Sequence, residues 1–241
     1  MVVATNNTSP LFCAFISSKN LSRYVYPTGQ SGLSLSSSSQ VFGLLNFSTP
    51  LSSNFLGSND IVALHGFVIL ASEEFVDQNK IKPIGQIMGY GNSLDGYKIT
   101  APDPSGVSMT KAIENALSNS GLKSSQIDYI NAHGTGTKHN DDLELRCIGK
   151  ALGEEAKKIP ISSTKDRHGH AIAAAGIQEL CLLLELMKYD TIPSNLKLKS
   201  PCSEEFNLLR ENKKKKITYA MSNNFAFGGI NTVLAIKNER V

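Results

Sequence analysis

Three short polar clusters carry the residue types that could do chemistry: "AHGTGT" at 132–137, "TKDRHGH" at 164–170 and "SNNFAFGG" at 222–229. Each follows a run that reads as a β-strand, and in open α/β sheets ligands bind at strand ends. His133 opens the first cluster, and Lys165, His168 and His170 crowd the second. A neutral imidazole donates one hydrogen bond to a developing oxyanion, and a nearby ammonium disfavours a second positive charge on that imidazole. Two neutral histidines beside a lysine therefore suit the enolate left when a malonyl thioester loses carbon dioxide. Each residue also has a plainer reading: His133 as a strand-end histidine bonded to its loop, Lys165 and His168 as surface groups. His170 is the most specific, because it stands where the helix after it should begin, among unpaired N–H groups and the positive dipole end. No metal is expected, since His168 and His170, two apart, suit neither one helix face nor a zinc pair. His139 should face solvent near the start of its helix, with Asn140 or Asp141 as the cap. In "FAFGG", Gly228 and Gly229 permit positive φ. Phe225 and Phe227 then either line or underlie a pocket, or are core aromatics of a tight turn.

The elements that must hold these clusters alternate. "IVALHGFVIL" (61–70) reads as a buried strand, and "PIGQIMGYGNS" (83–93) as β residues broken by glycines. Residues 105–121 form a helix with Met109, Ile113, Ala116 and Leu117 on one face and Gly121 as its stop. "IDYINA" (127–132) is a strand, 141–153 a helix ending at Gly153, and "KIPISST" (158–164) a strand that delivers the second cluster. Residues 171–189 are apolar nearly all round, Glu179 and Glu185 excepted, which predicts a buried helix about 28 Å long. "KITYAMSNN" (216–224) and "NTVLAIKN" (231–238) close the chain as two strands around the glycine turn. The class is α/β with a mixed sheet packed by a long buried helix.

Residues 1–60 differ: rich in Ser, Asn, Gly and Thr, without acidic residues before Asp60, they predict loops with one or two short elements. The 241 residues, 41% hydrophobic and 19% charged, suffice for one good core or two small ones. A net charge of +3 argues against nucleic acid, and "KKKK" (Lys213–Lys216) reads as a solvated loop or a contact for an acidic partner. The N-terminal "LFCAFI" lacks a basic flank and is too short for a signal or membrane anchor. Four cysteines without CxxC spacing suggest reduced thiols and a cytoplasmic setting.

Together, "NAHGTGT…DDLE", "ISSTKDRHGHAIAAAG" and "SNNFAFGGIN" resemble the C-terminal half of the β-ketoacyl synthases, the condensing enzymes of fatty acid and polyketide synthesis. "GYGNSLDGYKITAPDPSG" (89–106) and, more loosely, "GFVILASEEF" (66–75) extend the resemblance over about residues 60–241. It implies a thiolase-like fold, here truncated, with 61–241 as the C-terminal-like domain and 1–60 as a loop-rich remnant of the N-terminal half. It further implies that His133, Lys165 and His170 are the family's catalytic histidines and lysine, Glu144 the supporting acid, and Phe225, Phe227, Gly228 and Gly229 the gate and channel. No cofactor is implied. The family's nucleophilic cysteine lies in an "ACSS"-like elbow, and no residue before His133 reads as one. Cys13 lacks the helix of small residues behind it, while Cys147 and Cys181 read as core cysteines. "VALHG" (62–66) stands where the family has GEGAG, and Ala226 replaces a gate glycine, which should stiffen that loop.

The expectation is a chain without its own nucleophile: a non-condensing, chain-length-factor-like partner of a full-length ketosynthase, in a heterodimer or heterotetramer, meeting acyl carrier protein transiently. The alternative is the C-terminal piece of a split ketosynthase, or a malonyl-thioester decarboxylase using His133, His170 and Lys165.

Overall fold

A glycine pattern on one strand explains how the first layer closes. Gly89 and Gly91 lie on the same face of a long strand, and a Cβ would come 2.3 Å from the Ala116 carbonyl at the first and 1.9 Å from the Ala112 carbonyl at the second. Only bare backbone there, facing two alanines, lets helix and strand pack this closely. The computed structural model describes residues 11–14, 68–196 and 198–240. Its elements are β1 (Leu11–Ala14), β2 (Ile69–Ser72), α1 (Glu73–Gln78), β3 (Gly85–Leu94), α2 (Val107–Ser120), β4 (Tyr129–Asn131), α3 (Lys138–Leu152) and β5 (Ile161–Ser162). Then come α4 (Lys165–His168), α5 (Ala175–Lys188), β6 (Thr191–Ile192), β7 (Lys213–Lys214), β8 (Tyr219–Ala226) and β9 (Ile230–Asn238).

The described strands form a seven-stranded mixed sheet, ordered β2-β1-β3-β9-β8-β4-β5, and a separate β6-β7 pair. β4 runs parallel to β5 and β8, while β8–β9 and β3–β9 are antiparallel. Alternation along β4 and β8 divides the core into two layers. Ile130, Ala132, Met221 and Phe225 join α2 and α3, whereas Tyr129 and Ala220 join Leu180, Leu183, Leu184 and Met187 of α5. The mixed sheet and α2 are as expected, with Gly121 capping α2 at φ +68°. Most of the predicted 1–60 remnant and of the 61–70 strand lies outside the described residues.

Several expectations need correction. α3 begins at Lys138 with Thr137 as N-cap, so neither Asn140 nor Asp141 caps it; the Asn140 amide instead reaches Asp141 and Glu144. The predicted 158–164 strand shrinks to Ile161–Ser162, because the chain must turn there to present Lys165. The long helix starts at Ala175 rather than 171, since Gly169 (φ +78°) and Ile172 (φ +48°) break the helical path. Fourteen residues give about 21 Å rather than 28. It buries one face only: Ile177, Cys181 and Leu182 remain half-exposed. "KKKK" is not a plain loop, because Lys213 and Lys214 pair with Ile192 and Thr191. The closing strand runs to Ala226, so the turn itself is only Phe227–Gly229.

Candidate functional site

His133 leaves the end of β4, Lys165 the end of β5, and Phe225 sits near the end of β8, neighbouring parallel strands that bring all three to one edge. Gly134 (φ +43°) lets the β4 and β5 loops touch, since a Cβ there would stand 2.5 Å from that of Ser163. Glu144, 1% exposed on α3, pins the turn. Its two carboxylate oxygens accept the backbone N–H groups of His133 and Gly134, each at 2.9 Å, and the Asn223 side-chain amide donates to it at 3.0 Å. Burial raises the Glu144 pKa, and these donors oppose the rise. The supporting role expected of Glu144 is thus a structural clamp on the loop that carries His133.

His133 is 5% exposed. Its ring meets that of His170 edge-on, with centroids 5.4 Å apart and planes at 84°, and lies 6.0 Å from the Phe225 ring. Burial, then the charges of Lys165 and His170, push its pKa down to about 3. It is a neutral imidazole at any ordinary pH. His170 is exposed, and its pKa is lowered by partial burial and by Lys165. Its Nδ1 accepts the Ile172 N–H at 3.0 Å, which leaves the ring proton on Nε2. That bond requires a left-handed turn at Ile172, an uncommon conformation for a β-branched residue that costs roughly 1–3 kcal/mol. His170 stands five residues before α5, so its neutrality comes from burial and Lys165 rather than from the helix N-terminus.

Lys165 is buried at 7% exposure and forms a salt bridge with Glu179 of α5, itself 1% exposed. Burial raises the Glu179 pKa and Lys165 opposes it, while Asn131 donates to its other oxygen at 3.4 Å. A buried pair persists only when such extra bonds satisfy it. From sequence alone Glu179 stands out only as an exception on an apolar helix. The signal was present: Glu179, Leu183 and Met187 share one face at i, i+4 spacing, and an acid on a buried face demands a cation. Asn131, Asn223 and Ser163, whose hydroxyl donates to the His133 carbonyl at 3.4 Å, carried no such signal.

His168 is half-buried on α4, with Nε2 3.1 Å from the Thr164 hydroxyl, and His139 is exposed. Of the gate residues, Phe225 is buried against His133, while Phe227 is 75% exposed and points away from the core. Gly228 and Gly229 take φ +80° and +76°. Ala226 is extended (φ −113°, ψ 161°), a conformation open to any residue. The Cys147 thiol donates to the Gly106 carbonyl at 3.4 Å in the α2–α3 core, and the Cys181 thiol on α5 is pushed up to about 11 by burial. Neither is an activated thiolate. Among the described residues no group of three His, Cys, Asp or Glu is placed to hold a metal, and no helix is long and apolar enough to cross a membrane.

The arrangement offers an imidazole N–H from His170 and the ring of His133, both neutral, backed by a fixed ammonium; it can stabilise an oxyanion. Residues 84–199 match the family model described as "Beta-ketoacyl synthase, C-terminal domain". The chain is 38% identical over 175 residues to a 3-oxoacyl-[acyl-carrier-protein] synthase 2 of Synechocystis, covering 71% of this chain and 42% of that protein. It thus spans about two-fifths of the length of the curated relatives it matches. Among solved structures, it is similar to a chain of a type II polyketide synthase acyl-carrier protein in complex with its ketosynthase bound to the hexaketide (TM-score 0.67, 29% identity, 72% of this chain and 43% of that one). It is also similar to a chain of a ketosynthase in complex with its chain length factor from Xenorhabdus doucetiae (TM-score 0.62, 33% identity, 72% and 42%). With the family's motifs at the strand ends, and the mixed sheet and helices common to its thiolase-like members, this chain carries the C-terminal domain of the β-ketoacyl synthases.

Proposed function

We propose that this chain supplies the histidine–lysine half of a ketosynthase site and promotes decarboxylation of a malonyl thioester during fatty acid or polyketide chain elongation. The observation that carries this reading is the pair of neutral imidazoles, His133 and His170, edge to face beside the Lys165–Glu179 pair. In the reaction, the bond between the carboxylate carbon and C2 breaks and carbon dioxide leaves. The electron pair moves into the thioester carbonyl, and the resulting enolate oxygen accepts N–H bonds from the two histidines. Burial and, after it, the charge of Lys165 keep both rings neutral while they donate. The enolate carbon then takes a proton from solvent, or forms a carbon–carbon bond to an acyl thioester held on a partner, whose C–S bond breaks to release the partner's thiolate. In this reading the acyl-enzyme step belongs to that partner, a full-length ketosynthase, with acyl carrier protein delivering the malonyl group; the Cys147 and Cys181 thiols, both with raised pKa values, supply no thiolate. The division into a loop-rich segment 1–60 and a domain 61–241, and a cytoplasmic setting, belong to the same reading.

The test is release of carbon dioxide from malonyl-pantetheine by the full chain, with His133→Ala, His170→Ala and, as control, the exposed His139→Ala. Losing one oxyanion donor should cost about 100- to 1000-fold in kcat, with His139→Ala unchanged. A folded wild-type chain that releases no carbon dioxide, alone or with the ketosynthase, would sink the proposal.

A second reading, the non-condensing chain-length-factor-like partner, is favoured by the apolar residues exposed along the same edge: Leu94, Ile99, Ile172, Phe227 and Ile230, between 53% and 82% exposed. Likeness to a chain from the ketosynthase and chain length factor complex supports it. Under this reading the tagged chain co-purifies with the ketosynthase, and the histidine variants leave product formation by the complex intact.

A further inference from the structure

Lys165 sits on α4, a single turn of four residues between a two-residue strand and an exposed glycine. So short a helix has little cooperativity of its own, and something else must set the direction of its side chains. The two residues after Lys165, which the mechanism above does not use, both reach one neighbouring segment. Asp166 accepts the Leu196 backbone N–H. Arg167 Nη2 lies 3.0 Å from the Ser194 carbonyl, 3.1 Å from the Ser194 hydroxyl and 3.4 Å from the Asn212 side-chain oxygen. These contacts fasten α4 to the connection between β6 and β7, residues 193–212.

That connection is itself rigid for independent reasons. β6 and β7 close its base, and its far arm pairs with β5: Ile161 N–H donates to the Asn207 carbonyl at 3.0 Å and Leu209 N–H to the Ile161 carbonyl at 3.2 Å. Asn195 adds side-chain bonds to the Ile161 and Leu209 carbonyls and accepts the Ser163 N–H at 3.0 Å. Phe206 packs against Gly149 of α3. The strap therefore stays in place without Arg167, whereas α4 loses its outer attachments without Asp166 and Arg167.

We infer that Asp166 and Arg167 are positioning residues: they hold the Lys165 turn on the 193–212 strap and so fix where His168 and His170 stand relative to His133. The planar guanidinium suits Arg167, because one nitrogen serves two acceptors of the same residue, which a lysine ammonium does with looser direction. This inference rests on the proposed reaction for its kinetic consequence, but not for its geometric one.

The experiment takes the full chain, labelled with nitrogen-15 at histidine, as wild type, Arg167→Met, Arg167→Lys and Asp166→Ala. Imidazole resonances are recorded by NMR, and malonyl-pantetheine decarboxylation is measured on the same samples. Arg167→Met should shift the ring resonances of His168 and His170 while leaving His139 unmoved, and keep the urea midpoint within roughly 0.5 M of wild type. Its kcat should fall about 10- to 100-fold at unchanged KM, the cost of misplacing a reacting group by an ångström or less. Arg167→Lys should recover most of both effects. If Arg167→Met does not fold, Asp166→Ala, which removes the other fastener, decides by the same spectrum. Wild-type ring resonances in a folded Arg167→Met or Asp166→Ala chain overturn the inference. A wild-type chain without decarboxylase activity overturns the proposed reaction instead, and the spectra still decide the positioning role.

Discussion

Acid should destabilise this chain through His133, by an amount that can be worked out beforehand. The folded-state pKa of His133 is pushed down to about 3, against an ordinary value near 6.5, chiefly by burial. Between those two values the unfolded chain binds a proton that the folded chain refuses. The stability contribution is therefore complete above pH 6.5 and is lost as pH falls toward 3, at up to about 1.4 kcal/mol per unit. At pH 5.0, roughly 1.5 units below the unfolded value, the loss from this one residue is about 2 kcal/mol. Glu144 and Glu179 act with the opposite sign: burial raises their folded pKa values, so the folded state takes up protons more readily than the unfolded state as pH falls. The measurement is therefore a difference between variants. Urea unfolding of the full chain, followed by far-ultraviolet circular dichroism because the sequence has no tryptophan, is compared at pH 7.5 and 5.0 for wild type and His133→Gln. Wild type should lose about 2 kcal/mol more than His133→Gln over that interval. Equal losses would mean that His133 takes up its proton in the folded state, and the neutral-imidazole basis of the proposed chemistry would go with it.

Glu144→Ala should cost roughly 2–4 kcal/mol in urea unfolding, because two backbone N–H groups and the Asn223 amide lose their acceptor together, while Glu144→Gln keeps one oxygen and costs about half as much. Gly91→Ala should destabilise by about 2–3 kcal/mol through collision with α2, whereas Gly96→Ala, which meets a positive φ (+64°) that Gly91 lacks but has open space around it, should cost only about 1 kcal/mol. Ile172→Gly should stabilise the isolated chain by about 1 kcal/mol, by relieving a positive φ at an 82% exposed side chain, and a lower urea midpoint would contradict the strain assigned there.

The sequence was most legible where local chemistry and fold agree. Gly121 ends α2 because the chain needs φ +68° there, and strand ends carry the polar clusters because β4, β5 and β8 are parallel neighbours. It was least legible where tertiary demands override propensity. Residues 171–174 are three alanines and an isoleucine, all compatible with helix, yet the chain turns left-handed at Ile172 and so offers its N–H to His170. Asn140 fails as a cap for a local reason: α3 starts two residues earlier, after Thr137, so its amide lies inside the helix and reaches the adjacent Asp141 and, one turn on, Glu144. Lys213 and Lys214 pair with β6 because the strap between them closes against β5, a contact between distant segments.

The same contrast bears on how the site stays ordered with its His170 side exposed. His170 and Ile172 face solvent, yet His133, Lys165, Glu144 and Glu179 are all buried. The burial and the Lys165 charge that lower the ring pKa values are thus set by this domain's own core, with Glu179 on α5 anchoring Lys165 and Glu144 on α3 anchoring the His133 loop. Covering the open edge would desolvate His170 further, lowering its pKa in the direction already set and strengthening any hydrogen bond it donates. Under the proposed function, a partner surface would act on these groups by excluding water from His170 rather than by rearranging them. The sign is testable: if the proposed pairing with a full-length ketosynthase holds, the His170 pKa, followed by NMR in the full chain, should fall when that protein is added, and a rise would place an acidic group of the partner against the ring.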